Sequence, residues 1–268
     1  MKKFQELFIG NKPIIGMIHI DALPGTPKSS KSVKEIIAKA LSEAKLYESN
    51  GINTVIIENM HDVPYLNRNV GPEITSAMSV IGYEIKNKCN VKCGIQILAG
   101  ANKEAVAVAH TAGLDFIRAE GFVFGHLADE GYIDSDAGEL LRYRSQIGAE
   151  KILVFTDIKK KHSSHSVTSD VDILDTAKAA QYFLSDGLII TGKSTGEEID
   201  INDLKLLKDK VKIPLILGSG ISDQNIERYY NLADGFIIGS YFKEDGYWEN
   251  EISEKRIAAL LNVIEKIK

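Results

Sequence analysis

The sequence predicts an α/β protein of the (β/α)8, or TIM, barrel class, folded as one domain over residues 1–268. Three observations predict it. Apolar runs of strand length recur about every thirty residues, each followed by a helical pattern, and the alternation repeats eight times with no segment left over. The chain length of 268 residues is close to the roughly 250 typical of that barrel. The last two strand-like runs, Ile213-Pro-Leu-Ile-Leu-Gly-Ser-Gly220 and Asp234-Gly-Phe-Ile-Ile-Gly-Ser240, stop abruptly on small residues. Glycine and serine there let backbone N–H groups approach an anion that a larger side chain would block. Counted along the chain these are strands seven and eight, whose ends form the usual phosphate site of such a barrel. An open doubly wound sheet is the alternative, but it rarely uses eight regular βα units.

Taken in order, Pro13 precedes the first strand, Ile14–His19, and the helix Val33–Ser49 ends just before Gly51. The second strand is Thr54–Asn59. Its helix, Glu73–Lys88, follows Pro72, whose fixed φ suits a helix start. The third unit is Lys92–Leu98 with helix Lys103–Ala112, and the fourth is Phe116–Glu120 with helix Ala137–Ile147. Gly51, Gly113 and Gly148 stand where left-handed helix caps belong. The fifth strand, Ile152–Ile158, leads to helix Ile173–Leu184, and the sixth, Gly187–Thr191, to helix Ile201–Asp209. The seventh, Pro214–Gly218, opens on a proline whose missing N–H is tolerated at a strand start; helix Asp223–Leu232 follows. The eighth, Gly235–Gly239, precedes helix Ser253–Lys268. Pro24, Pro27 and Pro64 fall in βα loops, and the longest loops follow strands one, two, four and five. All open on the face that carries the active site in this fold.

Composition excludes several classes. Hydrophobic residues make up 44% and charged residues 26%, ordinary for a globular chain. A net charge of −5 argues against a general nucleic-acid binder. No apolar run reaches the roughly 18 residues of a membrane helix. Met1–Gly10 lacks a long apolar stretch and a small-residue cleavage site, so the expected address is cytoplasmic. Cys89 and Cys93 have no further ligand pair at zinc-site spacing and read as reduced structural thiols. Helix faces of barrels are compatible with homo-oligomerisation, though no distinctive apolar patch stands out.

Strand C-terminal ends point into one shared mouth. Those ends carry His19 and Asp21, Glu58 and Asn59, Gln96, Arg118 and Glu120, Asp157 and Lys159, then Thr191 and Gly192. Plain packing would favour valine or leucine there. The catalytic candidates are Asp157, Lys159, His162, Glu58, His19 and Glu120, with Asn59, Gln96 and Arg118 positioning the substrate. The phosphate candidates are Gly192, Gly218, Ser219, Gly220, Gly239 and Ser240. Alternation along a strand places Phe155, Asp157 and Lys159 on one face. The competing reading pairs Arg118 with Glu120 and makes Asp157 a cap. Lys160 and Lys161 read as solvated loop residues, His110 as structural, and His126 as undecided. His19-Ile-Asp21 and Glu58-Asn-Met-His-Asp62 are compatible with a divalent metal ion, but no tight ligand motif occurs and no metal ligand or cofactor is assigned. In Ile190-Thr-Gly-Lys-Ser-Thr-Gly196, Lys193 superficially resembles the lysine of the deoxyribose-phosphate aldolases. It follows Gly192, however, and reads as a loop residue, so Schiff-base chemistry is the minority reading.

These residues resemble the BtpA/SgcQ family of ribulose-phosphate-binding-like barrels over nearly the whole length. The matching stretches begin with Gly16-Met-Ile-His-Ile-Asp-Ala-Leu-Pro-Gly25 and Glu58-Asn-Met-His-Asp-Val-Pro-Tyr65. Ala128-Asp-Glu-Gly-Tyr-Ile133, Glu139-Leu-Leu-Arg-Tyr-Arg144 and Asp157-Ile-Lys-Lys-Lys-His162 follow. The last are Thr191-Gly through Ser194-Thr-Gly196, Gly218-Ser-Gly220 and Asp234 to Ser240. The resemblance implies a TIM barrel and a phosphorylated ligand, but fold analogy does not supply a reaction. One branch is named for photosystem I biogenesis and another is associated with sugar use. Arg118-Ala-Glu-Gly-Phe-Val-Phe-Gly-His126 departs from the form associated with the cyanobacterial branch. The expected function is therefore an isomerase, epimerase, lyase or aldolase acting on a small sugar-phosphate or nucleotide-like compound, with no nucleic-acid or membrane partner. The alternative is a non-catalytic assembly or regulatory factor that retains a phosphate-binding barrel.

Overall fold

A computed structural model describes residues 1–9, 12–192 and 199–268. Eight parallel strands close into a barrel: β1 (Ile14–His19), β2 (Thr54–Glu58), β3 (Lys92–Gln96), β4 (Phe116–Ala119), β7 (Leu153–Ile158), β9 (Gly187–Ile190), β10 (Leu215–Gly218) and β11 (Gly235–Ile238). The order around the barrel is β1-β11-β10-β9-β7-β4-β3-β2. β1 pairs with both β2 and β11, so no edge is left open. All eight expected strands are present, each within two residues of its expected bounds.

Helices α2 (Val33–Ser49), α3 (Pro72–Lys88), α4 (Asn102–Ala112), α5 (Ala137–Gln146), α6 (Ile173–Tyr182), α7 (Ile201–Lys210), α8 (Ile226–Tyr230) and α9 (Glu254–Ile267) cover the outside. Ser32 and Glu35 form a reciprocal capping box at the start of α2. α8 starts three residues later than expected, because Asn225 and the residues before it are drawn into the preceding loop, and it ends two residues earlier, at Tyr230.

Side chains alternate between the shell under the helices and the barrel interior. The interior holds Ile15 and Met17 of β1, Ile56 of β2, Phe116 of β4, Leu153 and Phe155 of β7, and Ile189, Ile216 and Ile237. Gly94 of β3 makes room for the Phe116 ring, which a Cβ there would meet at 2.1 Å. An unanticipated helix, α1 (Lys2–Phe8), closes the N-terminal end of the barrel. Its Phe4 and Phe8 are buried against Phe155 and Phe116, with ring centroids 5.8 and 6.3 Å apart.

A second unanticipated element lies at the other end. β5 (His126–Ala128) and β6 (Gly131–Ile133) form a hairpin in the loop after β4, and β8 (Ser163–Ser164) joins it from the loop after β7. Arg68, from the loop after β2, ties that hairpin to the barrel. It donates to the carbonyls of Gly100, Gly121 and Asp134 and pairs with Asp136 at 2.5 Å. Cys89 and Cys93 are both free and buried, as expected.

Candidate active site

Continuing the interior alternation one step toward the strand C-termini gives the ring that floors the mouth. His19, Glu58, Gln96, Arg118 and Asp157 come from β1, β2, β3, β4 and β7, and the remaining places go to Thr191, Gly218 and Gly239. The ring is therefore divided: large polar side chains occupy one side and small residues the other. His19, Glu58 and Gln96 stand in register on neighbouring strands.

The polar side is an ionic network. Arg118 grips Asp157 through two bonds, Nε to Oδ2 at 2.7 Å and Nη2 to Oδ1 at 2.9 Å, and the two side chains are only 11% and 1% exposed. The pairing of Arg118 with Glu120 is not what forms. Glu120 instead accepts from Gln96 Nε2 at 3.0 Å and lies 3.1 Å from the Lys160 ammonium. Glu58 is buried beside them, and burial pushes its carboxyl above the usual range while Arg118 pulls it back. Lys161 lies in the same field. Burial and then Arg118 lower its ammonium, and Glu58 and Asp157 oppose the shift. Arg118, Lys160 and Lys161 thus meet Glu58, Glu120 and Asp157, three cations against three carboxylates. Buried charges on this scale persist only when matched.

Two expectations for this segment are corrected. β7 ends at Ile158, and Lys159 is left-handed with φ 47°. That reverses the side-chain parity, so Lys159 turns its ammonium to the Thr168 carbonyl at 3.1 Å and does not stand beside Asp157 in the ring. Lys160 and Lys161, expected in solvent, are the lysines that turn inward. His162 is exposed, on a second left-handed backbone with φ 54°. Asn59 also turns out of the ring: its amide donates to Asp62 at 2.8 Å and accepts from the Leu98 N–H at 2.7 Å, joining two βα loops. Asp21 faces outward to Lys31 and Lys39, and His110 is exposed.

His19 is buried, with Nδ1 3.1 Å from the Trp248 carbonyl. A carbonyl only accepts, so Nδ1 carries the proton and Nε2 keeps its lone pair. A Cβ on Gly239 would lie 3.6 Å from that Nε2, which places the imidazole at the border between the two sides of the ring.

On the small side, Ser219 and Gly220 are consecutive left-handed residues, with φ 77° and 69°. Asn225, buried and absent from the sequence-based candidates, holds this turn: Nδ2 donates to the Gly220 carbonyl at 2.7 Å and Oδ1 accepts from the Ser222 N–H at 2.9 Å. It stands five residues after Gly220 and seven after Gly218, the last residue of β10. Gly239 leads into a short 3-10 turn, Ser240–Phe242, and Gly192 is buried. Lys193, Ser194, Thr195 and Gly196, considered for Schiff-base chemistry and as part of the family resemblance, lie outside the described residues.

Among the described residues no group of three or more His, Cys, Asp or Glu side chains is arranged to hold a metal ion. Nor is any helix among them long and apolar enough to cross a membrane.

A protein of Caenorhabditis elegans, uncharacterized and described as mitochondrial, is 46% identical over 98% of this chain and 97% of its own length. The photosystem I biogenesis protein BtpA of Synechocystis is 29% identical over 97% of this chain and 90% of its own. Among solved structures, phosphoribosyl anthranilate isomerase from Thermus thermophilus superposes with a TM-score of 0.57 at 15% identity, covering 95% of this chain and all of that one, a likeness of fold alone. The model of the BtpA family matches residues 10–266, and the chain belongs to that family.

Proposed function

We propose that this barrel is an enzyme acting on a small phosphorylated metabolite, a sugar phosphate or nucleotide-like compound, by proton transfer of the isomerase, epimerase, lyase or aldolase type. The observation that carries the reading is the divided ring. Thr191, Gly218 and Gly239 put only small side chains beside the left-handed turn at Ser219 and Gly220. The opposite side concentrates ionisable groups over the barrel axis. With the phosphate held by Gly192, Gly218, Ser219, Gly220, Gly239 and Ser240, the reacting carbons lie over Glu58, Arg118 and Lys161. A phosphate-named enzyme, phosphoribosyl anthranilate isomerase, shares the fold.

Within this reading Glu58 is the proton carrier. A general acid or base works best with its pKa near the operating pH, and burial moves Glu58 in that direction. Asp157, the sequence-based choice of base, has both oxygens committed to Arg118 and serves to orient that guanidinium. Arg118 and Lys161 stabilise developing negative charge on the substrate oxygen. His19 Nε2 is available as an acceptor for a hydroxyl near the phosphate. The assembly-factor alternative takes its support from the name of the Synechocystis relative, but a scaffold has no use for six charged groups, three of them buried, gathered at the mouth of the barrel. A cytoplasmic address belongs to this reading too, although the C. elegans relative is described as mitochondrial.

Screening phosphorylated metabolites by thermal shift and then for turnover tests the proposal. Glu58→Gln should lower turnover by about 10²–10⁴-fold while leaving substrate affinity within a few-fold. If no phosphorylated compound stabilises the protein, and affinity purification instead returns a stoichiometric protein partner, the assembly-factor reading replaces this one.

A further inference from the structure

Beside the small β5-β6-β8 sheet lies an open hollow, walled in part by groups that the mechanism above leaves without a role. Its walls come from the loops after β4 and β7, and its chemistry from His126, His165, Lys159, Lys160, Thr168 and Asp157. His126 is 4% exposed, and its Nε2 is buried with no hydrogen-bond partner among the described residues. A buried polar atom left without a hydrogen bond is uncommon and marks this wall of the hollow as incompletely satisfied. The His165 ring stands 5.6 Å from it, centroid to centroid.

The charges facing the cavity say what kind of ligand. Asp157 is the carboxylate in its lining, and Arg118 engages both of its oxygens. The Lys159 ammonium is held by uncharged partners, the carbonyl and hydroxyl of Thr168 at 3.1 and 3.4 Å, with Asp170 and Asp172 close enough to act on it. Lys160 pairs with Glu120 along one side. With Lys160 committed to Glu120, Asp157 to Arg118 and His165 Nε2 set 3.0 Å from the Lys160 carbonyl, Lys159 is the cation of this lining with no carboxylate in direct contact among the described residues, which suits an anionic oxygen group.

The position of the cavity adds a second constraint. It opens between the fourth and fifth strands of the barrel, β4 and β7, whereas the glycine cradle lies at the seventh and eighth, β10 and β11. Eight strands spaced about 4.8 Å apart and tilted about 36° make a barrel about 15 Å across. A sugar that carries an anionic group at each end of its carbon chain reaches from one place toward the other.

We propose that this cavity is a second anion subsite, and that the substrate carries two anionic groups, a phosphate in the glycine cradle and a second phosphate or a carboxylate beside the small sheet. The proposal rests on the phosphate reading above and narrows it to doubly anionic compounds. Hydrogen bonds in which one partner is ionised are the stronger kind.

Calorimetric titration of the full chain with fructose 6-phosphate, fructose 1,6-bisphosphate and 6-phosphogluconate tests it. At least one of the two doubly anionic probes should bind tenfold or more tightly than fructose 6-phosphate, and the tighter of them identifies phosphate or carboxylate as the second group. Lys159→Met and His165→Gln should each cut that advantage to within threefold and leave fructose 6-phosphate affinity unchanged. Gly220→Val, or Ser240→Asp should the first variant misfold, should weaken all three probes. Equal binding of the three probes by the wild-type protein, still weakened by the cradle variants, overturns the second subsite and leaves the phosphate reading standing. An advantage untouched by Lys159→Met and His165→Gln overturns its location. If no probe binds, or binding ignores the cradle variants, both readings fall.

Discussion

His19 is held uncharged by its surroundings. Burial lowers its pKa first, Lys243 adds to that, and the result is about 3 against an ordinary 6.5. A histidine depressed in the folded state contributes stability that is present above its unfolded pKa and is lost as pH falls toward the folded one. The window is therefore pH 6.5 down to about 3. At 1.36 kcal/mol per unit, moving from pH 6.5 to 4 costs the wild type roughly 3 kcal/mol through this group alone. His19→Gln should lose that much less stability over the same interval, as read from urea unfolding at both pH values; parallel losses would show that His19 does not titrate this way. Much of the ring was legible at this scale, because polar residues at strand ends violate what packing would choose, and His19, Glu58, Gln96, Arg118 and Asp157 stand where period-two alternation puts them. Alternation failed at Lys159, where one left-handed residue exchanged the facing of three consecutive lysines. Nothing in Lys-Lys-Lys signals which one bends the backbone. Glu120 pairing with Lys160 rather than Arg118 follows from the same reversal.

At the scale of elements, the barrel strands were legible because a strand buried on both faces reads as a continuous apolar run. The additional elements were not. α1 has seven residues and presents two buried aromatics, Phe4 and Phe8, too short a pattern to establish a helical period, and the eight-unit parse is complete without it. The strands of the small sheet are two or three residues long, below any patterning signal. Yet α1 closes an end of the barrel that would otherwise expose Phe116 and Phe155. Phe8 lies 6.3 Å from Phe116 and 6.4 Å from Phe155 between ring centroids, and stacks edge-on to Phe4 at 4.7 Å. Phe8→Ala should therefore cost about 3–5 kcal/mol, with the melting temperature falling by about 2–4 °C for each kcal/mol. Any phosphate affinity found under the proposed function should stay constant, since this cluster packs on the strand halves remote from the mouth. A change below about 1 kcal/mol would mean that α1 leaves the barrel end in solution.

Closure governs the behaviour of the molecule as a whole. Every barrel strand is hydrogen-bonded on both sides, and the ladder between β1 and β11 joins residues more than two hundred positions apart. No strand can leave without breaking two ladders, so the barrel should open as one unit. Cys93 can report this. It lies within β3, pairs with Val55 of β2, and points into the shell between sheet and helices with no exposure. Burial first, and then Asp115, push its thiol far above the ordinary value, so the reactive thiolate is suppressed while the fold is intact. Cys89 sits at the end of α3 and would blur the signal, so the experiment uses Cys89→Ala. Labelling of Cys93 by an excess of thiol reagent, followed across a urea series below the unfolding transition, should accelerate with the same urea dependence as global unfolding by circular dichroism. The opening free energy extrapolated to water should agree with the global value to within about 1 kcal/mol. Labelling that proceeds at a urea-independent rate would show that β3 is reached through a local opening, and that α3 or α4 lifts away from the barrel without breaking its ring.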